Sequence, residues 1–328
     1  MKIVIKADKA RFEKYMPAGK TDEYDISFFN LEASNEEILE KSADADVIVV
    51  DAIGVVDAEL INAMPNLKLI HSEGVGFDKI DTKAAVARNI PVCNNKGINA
   101  ASVAEHVILL SLALLRNSVA AHLEELNGKQ IELKQSMMIE GIKELGDCTV
   151  GLVGFGDIAK ETAIRLNAFG CKVFYWNRNK RSDDIEKKYN VIYKELDELL
   201  AVSDIVSIHV PVTKETKGMV NEQFLDKMKE SAYLVNTARG EMVDNEALKD
   251  ALIKGKIAGA GLDTIAPEPT PKDHILFNLP KDLKARVIFS PHIAGISTGT
   301  FKRSQERIWK NIKNIETGVK LENVVNMA

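Results

Sequence analysis

Thr149-Val150-Gly151-Leu152-Val153-Gly154-Phe155-Gly156-Asp157-Ile158-Ala159 is the stretch on which the fold turns. A β-branched apolar run ends at a glycine, and the helix-period stretch Lys160 to Phe169 follows. The pattern is GxGxxA: Gly154 permits the tight turn, Gly156 lets the backbone approach a pyrophosphate, and Ala159 is small enough for close helix–strand packing. Glycines at such a corner often only form a turn. Here a strand precedes, a helix follows, and a second strand, Lys172–Trp176, ends about twenty residues on, so the context is that of a dinucleotide-binding βαβ unit. The phosphates would rest on the helix N-terminus, cradled by Gly154, Phe155, Gly156, Asp157 and Ile158.

Outward from this unit, short Val- and Ile-rich runs alternate with helix-period segments along the whole chain, the mark of an α/β protein with parallel sheets covered on both faces. Upstream, strands are expected at Lys2–Lys6, Ile26–Asn30, Val47–Val50, Leu67–Ser72 and Pro91–Asn94, with helices near Glu36–Lys41, Asp57–Ala63 and Asp78–Arg88. Downstream, strands are expected at Ile205–Val210, Ala232–Asn236, Ile257–Leu262 and Arg286–Ser290. These make two doubly wound sheets, the second larger. Between them Val103, Val107, Leu110 and Leu114 recur at helical spacing, predicting one long helix over Asn99–His122 whose apolar face exceeds what an interdomain crossover needs. That surplus predicts a homodimer built on this helix. The final segment, Thr300 to Thr317, carries Phe301, Ile308, Trp309, Ile312 and Ile315 on one face and should return to the first sheet.

Composition removes other classes. Lys and Arg number 43 against 48 Asp and Glu, a net charge of −5, which offers nucleic-acid phosphates no basic field. The longest apolar stretch, Val107 to Leu115, is far short of the ~18 residues of a membrane span. Cys93, Cys148 and Cys171 lack any CxxC or Cys/His spacing, so neither a disulfide framework nor a metal site is expected. The opening Met1–Lys6 reads as a strand and not as an export leader, so a cytoplasmic protein is expected.

The end of the strand Lys172–Trp176 bears on the cofactor. An Asp or Glu there would accept bonds from the adenosine ribose hydroxyls, but the sequence reads Asn177-Arg178-Asn179-Lys180-Arg181. An amide followed by three cations suits a ribose 2′-phosphate, with Asn177, Arg178 and Arg181 as its partners, so NADP(H) is favoured over NAD(H). A solvated basic loop is the other reading of the same residues.

Four further segments follow in chain order: Gly74-Val75-Gly76-Phe77-Asp78, Val235-Asn236-Thr237-Ala238-Arg239-Gly240, Gly261-Leu262-Asp263 running on to Pro267-Glu268-Pro269, and Ser290-Pro291-His292-Ile293-Ala294-Gly295. With the glycine loop and Asn99 to His106 in register, the chain closely resembles the D-isomer-specific 2-hydroxyacid dehydrogenase family over nearly its whole length. The resemblance implies a Rossmann dinucleotide-binding domain (100–297) inserted into a smaller flavodoxin-like substrate domain (1–99 plus 298–328). It also implies substrate contacts from Val75, Gly76 and Arg239, and cofactor contacts from Val103, Val210, Pro211, Thr216, Thr237, Ala238, Asp263, His292 and Gly295, with Asp263 receiving the nicotinamide carboxamide.

The residues also make chemical sense by themselves. Moving a hydride to or from the carbon beside a carboxylate calls for a cation to hold that carboxylate, an acid/base for the hydroxyl proton, and a partner for that base. Arg239, His292 and Glu268 are the candidates. A planar guanidinium can orient a 2-oxo acid through two bonds, and a carboxylate within reach of an imidazole fixes its tautomer and favours its cationic form. His71, His106, His122, His209 and His274 are expected to be structural, and Asp78 and Asp81 to open the following helix.

The expected activity is reduction of a small 2-oxo acid such as glyoxylate or hydroxypyruvate. Phosphoglycerate dehydrogenase is the alternative within the family, opposed by Glu73, which would repel a doubly charged phosphate beside the glycine loop. A dinucleotide-sensing corepressor is the alternative outside enzymes. Formate-oxidising relatives pair their His with Gln, where this chain has Glu268. The segment Leu123–Gly146 departs from the family pattern by lacking a Trp-bearing arm, which leaves the subunit contact open.

Overall fold

The computed structural model describes residues 1–327, and for Lys281 and Asp282 the main chain alone. Ala328, the last residue of the expected first domain, lies outside the described residues. The chain divides into two compact units, one of Met1–Asn99 with the chain from Ile296 onward, the other Ala100–Gly295.

The first unit is built on β1 (Lys2–Lys6), β2 (Asp25–Phe29), β3 (Val47–Val50), β4 (Leu69–Ser72) and β5 (Val92–Cys93), all parallel in the order β2-β1-β3-β4-β5. Strand side chains alternate between the two faces, as a period of two requires. Ile3, Ile5, Val47, Val49 and Leu69 join one core, while Val4, Ile48, Val50 and Ile70 join the other. The 20-residue helix Thr298–Thr317 covers the first of these with Ile308, Trp309 and Ile312. Phe301, expected on the same face, instead stacks on Tyr15 with centroids 5.0 Å apart. A helix at Lys9–Tyr15, which periodicity did not reveal, packs here through Phe12. Asp81 opens the Thr82–Ala87 helix by accepting from Ala84 N at 2.9 Å.

The second unit holds β6 (Thr149–Val153), β7 (Lys172–Trp176), β8 (Ile192–Tyr193), β9 (Ile205–Ile208), β10 (Tyr233–Asn236), β11 (Gly259–Leu262) and β12 (Val287–Phe289), in the order β12-β11-β10-β9-β6-β7-β8 with parallel neighbours. The order reverses between β6 and β9, and at such a switch point the carboxyl ends of the strands open a crevice for ligands. Cys93, Cys148 and Cys171 are buried and pack within the cores.

The expected helix Asn99–His122 is corrected. It runs from Ala100 to Leu115, breaks at Asn117 in the left-handed region (φ 48°), and a separate helix occupies Ser118–Leu126. Asn tolerates that conformation, which explains why the chain turns there. The apolar face of Ala100–Leu115 is covered by its own unit: Val107, Leu110 and Leu114 pack with Val150, Leu152, Phe155 and Ala159. The face that suggested a subunit interface is therefore core. No single helix among the described residues is long and apolar enough to cross a membrane.

Candidate active site

The glycine loop closes the crevice of the second unit. Gly154 has φ 102°, and a Cβ there would meet the His209 carbonyl carbon at 2.8 Å and Val210 Cγ1 at 2.9 Å, so no other residue fits this turn. Gly156 faces open space and precedes the Asp157–Ala168 helix, whose first turn has no side-chain cap. Uncapped N–H groups at a helix N-terminus are an anion site, and the absence of a Cβ leaves room for a pyrophosphate. Thr237 Oγ1 is buried without a partner after β10, and a bound nicotinamide dinucleotide would supply polar groups to such an orphan. The residues fit that cofactor.

At the end of β7, Asn177 Oδ1 accepts from Phe155 N at 3.3 Å and its Nδ2 donates to Asn179 O at 3.0 Å. The three cations that follow separate in role. Lys180 lies 3.5 Å from Asp183 and from Glu186, and Arg181 donates to Phe155 O at 3.2 Å. Arg178 is exposed and has no hydrogen-bond or ion-pair partner among the described residues. Across the crevice, Thr216 Oγ1 donates to Pro211 O at 2.6 Å and accepts from Thr213 N at 2.7 Å, fixing the turn after Val210. Val103 is 3% exposed within the Ala100–Leu115 helix.

Arg239 projects from the loop after β10. Buried Asn236 ties this loop, its Nδ2 donating to Arg239 O at 2.9 Å and its Oδ1 accepting from Ala238 N at 3.1 Å. Gly240 lets the loop press on the next segment, since a Cβ there would fall 2.2 Å from Ala266 N. The Arg239 guanidinium is exposed, bonds only Ala238 O at 2.7 Å, and has no carboxylate partner among the described residues. It is a cation held ready for an anion.

His292 follows β12 in the left-handed region at φ 54°, a strained conformation for a residue with a Cβ and one that collects at functional sites. Its Nδ1 lies 3.0 and 3.1 Å from the two oxygens of Glu268, so Nδ1–H faces a carboxylate and Nε2 is left for a ligand. Asp263 holds this turn from beneath. Its Oδ1 accepts from Ser290 Oγ at 2.5 Å and Ile293 N at 3.0 Å, and its Oδ2 from Ala294 N at 2.9 Å. His106 Nε2, 2.8 Å from Ser290 Oγ, joins the same network. With His106 Nε2 a further 3.4 Å from Oδ1 and the side chain out of solvent, the turn takes up the acceptor positions of Asp263. The turn ends at Gly295, after Ala294 O has accepted from Ser102 Oγ at 2.8 Å.

In the first unit, the Gly74-Val75-Gly76 loop follows β4 with its carbonyls fully engaged. Gly74 O accepts from Asn95 N at 2.8 Å, Val75 O from Asn94 Nδ2 at 2.7 Å and Gly76 O from Ser72 Oγ at 2.6 Å. The N–H groups of Val75 and Gly76 have no partner among the described residues. Two adjacent free N–H groups can donate together to one anion, in the manner of an anion-binding nest. Glu73 is corrected: it is 7% exposed and bonded to Arg11 Nη2 at 2.5 Å, and is not a free carboxylate. Arg11 itself, 62 residues away on a short amphipathic helix, carried no motif by which sequence reading could find it.

A strand-order switch with a glycine loop, an unpaired arginine and a His–Glu pair defines a nicotinamide-dependent oxidoreductase. Residues 108–294 match the model of the D-isomer-specific 2-hydroxyacid dehydrogenase NAD-binding domain. The chain is 41% identical over 279 residues to a glyoxylate reductase of Thermofilum pendens, covering 85% of this chain and 80% of that one. It is 37% identical over 282 residues to a hydroxypyruvate reductase of Thermotoga maritima, covering 86% and 87%. The NAD-complexed D-isomer-specific 2-hydroxyacid dehydrogenase of Lactobacillus delbrueckii ssp. bulgaricus superposes with a TM-score of 0.83 at 25% identity, over 99% of this chain and 100% of that one. The chain belongs to the D-isomer-specific 2-hydroxyacid dehydrogenase family.

Proposed function

We propose that this chain reduces small 2-oxo acids, glyoxylate or hydroxypyruvate among them, to the 2-hydroxy acids, with NADPH preferred to NADH. The observation that carries the reading is the His292–Glu268 pair, with Nε2 unpartnered among the described residues, in the same unit as Arg239, whose guanidinium likewise has no carboxylate partner among them. When bound, the reduced nicotinamide supplies a hydride to the carbonyl carbon. Arg239 holds the substrate through its planar fork, and the Val75 and Gly76 N–H groups receive carboxylate oxygen. His292 donates the Nε2 proton to the carbonyl oxygen as it becomes hydroxyl, while Glu268 keeps Nδ1–H oriented and balances the imidazolium. In this reading residues 1–99 plus 298–328 form the substrate domain and 100–297 the dinucleotide domain.

The cofactor preference is supported by Arg178, exposed and unpaired at the end of β7, and by the absence of a carboxylate at position 177. Val103, Val210, Pro211, Thr216, Thr237, Ala238, Asp263 and Gly295 complete the cofactor site in this proposal. A cytoplasmic setting is part of this proposal, on the reading of three cysteines without disulfide spacing. A homodimer is proposed on Ser118–Leu126 and Gln130–Glu140, neither of which contains a buried residue. Helices this short are not stable in water uncovered; Leu126, Met138 and Ile139 are 71, 74 and 86% exposed, and Met138 lines an apolar groove of about 510 Å³.

The test is oxidation of NADPH and of NADH by the purified protein against glyoxylate, hydroxypyruvate, pyruvate and 3-phosphohydroxypyruvate. Turnover of the first two above the phosphorylated acid supports the reading. No turnover of any 2-oxo acid, or a clear preference for 3-phosphohydroxypyruvate, overturns it.

A further inference from the structure

Beside the Val75–Gly76 loop lies a charged cluster with no part in the chemistry above. β1, β3 and β4 end at one edge of the first sheet, and its strand order reverses between β1 and β3, so ligand-facing residues gather there. Asp8 caps the Lys9–Tyr15 helix, Asp51 follows β3 and Glu73 follows β4. One nitrogen, Arg11 Nη2, bonds both Asp51 Oδ2 at 2.6 Å and Glu73 Oε2 at 2.5 Å. Two carboxylates on one guanidinium leave an excess negative charge, with Glu73 almost out of water.

No second cation pairs with these carboxylates among the described residues: on the last helix Arg303 donates to Ile98 O at 2.8 Å and Arg307 to Lys96 O at 2.7 Å. The last helix contributes Phe301, whose ring lies 5.7 Å from the Arg11 guanidinium, and Ser304, whose Oγ donates to Glu73 O at 2.9 Å. Asn95 donates to the same carbonyl at 2.8 Å. All three are neutral, and Asp8 adds negative potential. Burial pushes Glu73 up to about 7, with Arg11 opposing the rise and Asp51 and Asp8 adding to it. The carboxyl is therefore poised between its two forms at neutral pH, two residues from the nest.

We propose that Arg11, Asp51 and Glu73 are positioning residues that couple capture of the substrate carboxylate by the Val75 and Gly76 N–H groups to uptake of one proton at Glu73. The inference rests on those N–H groups being carboxylate donors, as read above. An incoming carboxylate, whose own counter-charge in that reading is Arg239, still raises the negative potential around Glu73, and a proton on this most buried carboxylate relieves it. Substrate affinity then falls as pH rises through neutrality, independently of the proton that His292 delivers.

The probe is oxamate, a non-reducible 2-oxo acid analogue, titrated calorimetrically into the whole enzyme saturated with reduced cofactor, in buffers of different ionisation heat. The parent is expected to take up close to one proton more than Glu73→Gln at about pH 8, and to lose roughly tenfold more oxamate affinity between about pH 6.5 and 8.5. Asp51→Asn removes the competing carboxylate, lets Arg11 keep Glu73 ionised, and should abolish the extra proton as well. That second variant keeps the test open if the first does not fold. Equal proton counts and parallel affinity curves in the parent and the variants overturn the coupling. Val75→Pro separates the two levels: undiminished oxamate binding there overturns the nest itself, whereas lost binding with unchanged Glu73→Gln and Asp51→Asn profiles overturns the coupling alone.

Discussion

Arg239→Ala should abolish productive binding of the 2-oxo acid and leave the fold and the cofactor site as they are. The guanidinium is exposed, makes one bond to its neighbour's carbonyl, and pairs with no carboxylate among the described residues. Its removal therefore costs the fold no more than about 0.5 kcal/mol, a shift of roughly 2 °C or less in Tm for a unit of this size. The loop conformation survives because Asn236, not the Arg239 side chain, ties it. What is lost is a charge-assisted fork on the substrate carboxylate, two bonds of about 1.5–3 kcal/mol each. The sum, about 3–6 kcal/mol at roughly 1.4 kcal/mol per tenfold, puts the loss in kcat/KM at about 10²- to 10⁴-fold. Arg239→Lys keeps the charge without the fork and should fall between. The assay is steady-state cofactor oxidation at varied glyoxylate, with cofactor Kd and Tm measured in parallel. A kcat/KM within threefold of the parent at unchanged Tm refutes the role.

The paired change Asn177→Asp with Arg178→Ala should reverse the NADPH preference by roughly 2–4 kcal/mol, because it adds an acceptor for ribose hydroxyls and removes the free cation; a parent that uses NADH as well as NADPH at matched ionic strength shows the cations to be only a solvated loop. Glu268→Gln preserves a bond to His292 Nδ1 but not the charge that balances imidazolium, and should lower kcat about 10- to 100-fold with little change in KM; unchanged kcat would make Glu268 structural. Burial pushes His71 down to about 4, so the unfolded chain protonates first, and its contribution to stability is intact above about pH 6.5 and lost toward pH 4 at no more than about 1.4 kcal/mol per pH unit. His71→Gln offers the same donor to Ser72 O and acceptor to Asn311 Nδ2 and should flatten the acid fall of Tm; an identical slope contradicts this. Leu126→Glu with Ile139→Glu should yield a 36.2 kDa particle in sedimentation where the parent runs at twice that mass; a parent already monomeric at micromolar concentration removes the interface.

Local pattern decided much of this protein. Strand and helix periods are written in neighbouring residues, so β1, β3 and β7 begin and end where their apolar runs do, and the corner at Gly154–Gly156 is set by residues in direct succession. Arg239, Glu268 and His292 stood out for the same reason, each within a short segment at a strand end. What the chain order could not carry was partnership across the sheet. Arg11 meets Glu73 over 62 residues, and Asn95 and Ser304 meet over 209, only because parallel strands in the order β2-β1-β3-β4-β5 bring their carboxyl ends together. The burial of Asp263 beneath the His292 turn likewise follows from the pairing of β11 with β12. The Ala100–Leu115 face shows the limit most clearly: an apolar stripe records that something must cover it, and only the packed structure decided that its own unit does, while the uncovered apolar surface fell to Ser118–Glu140 beyond the break at Asn117.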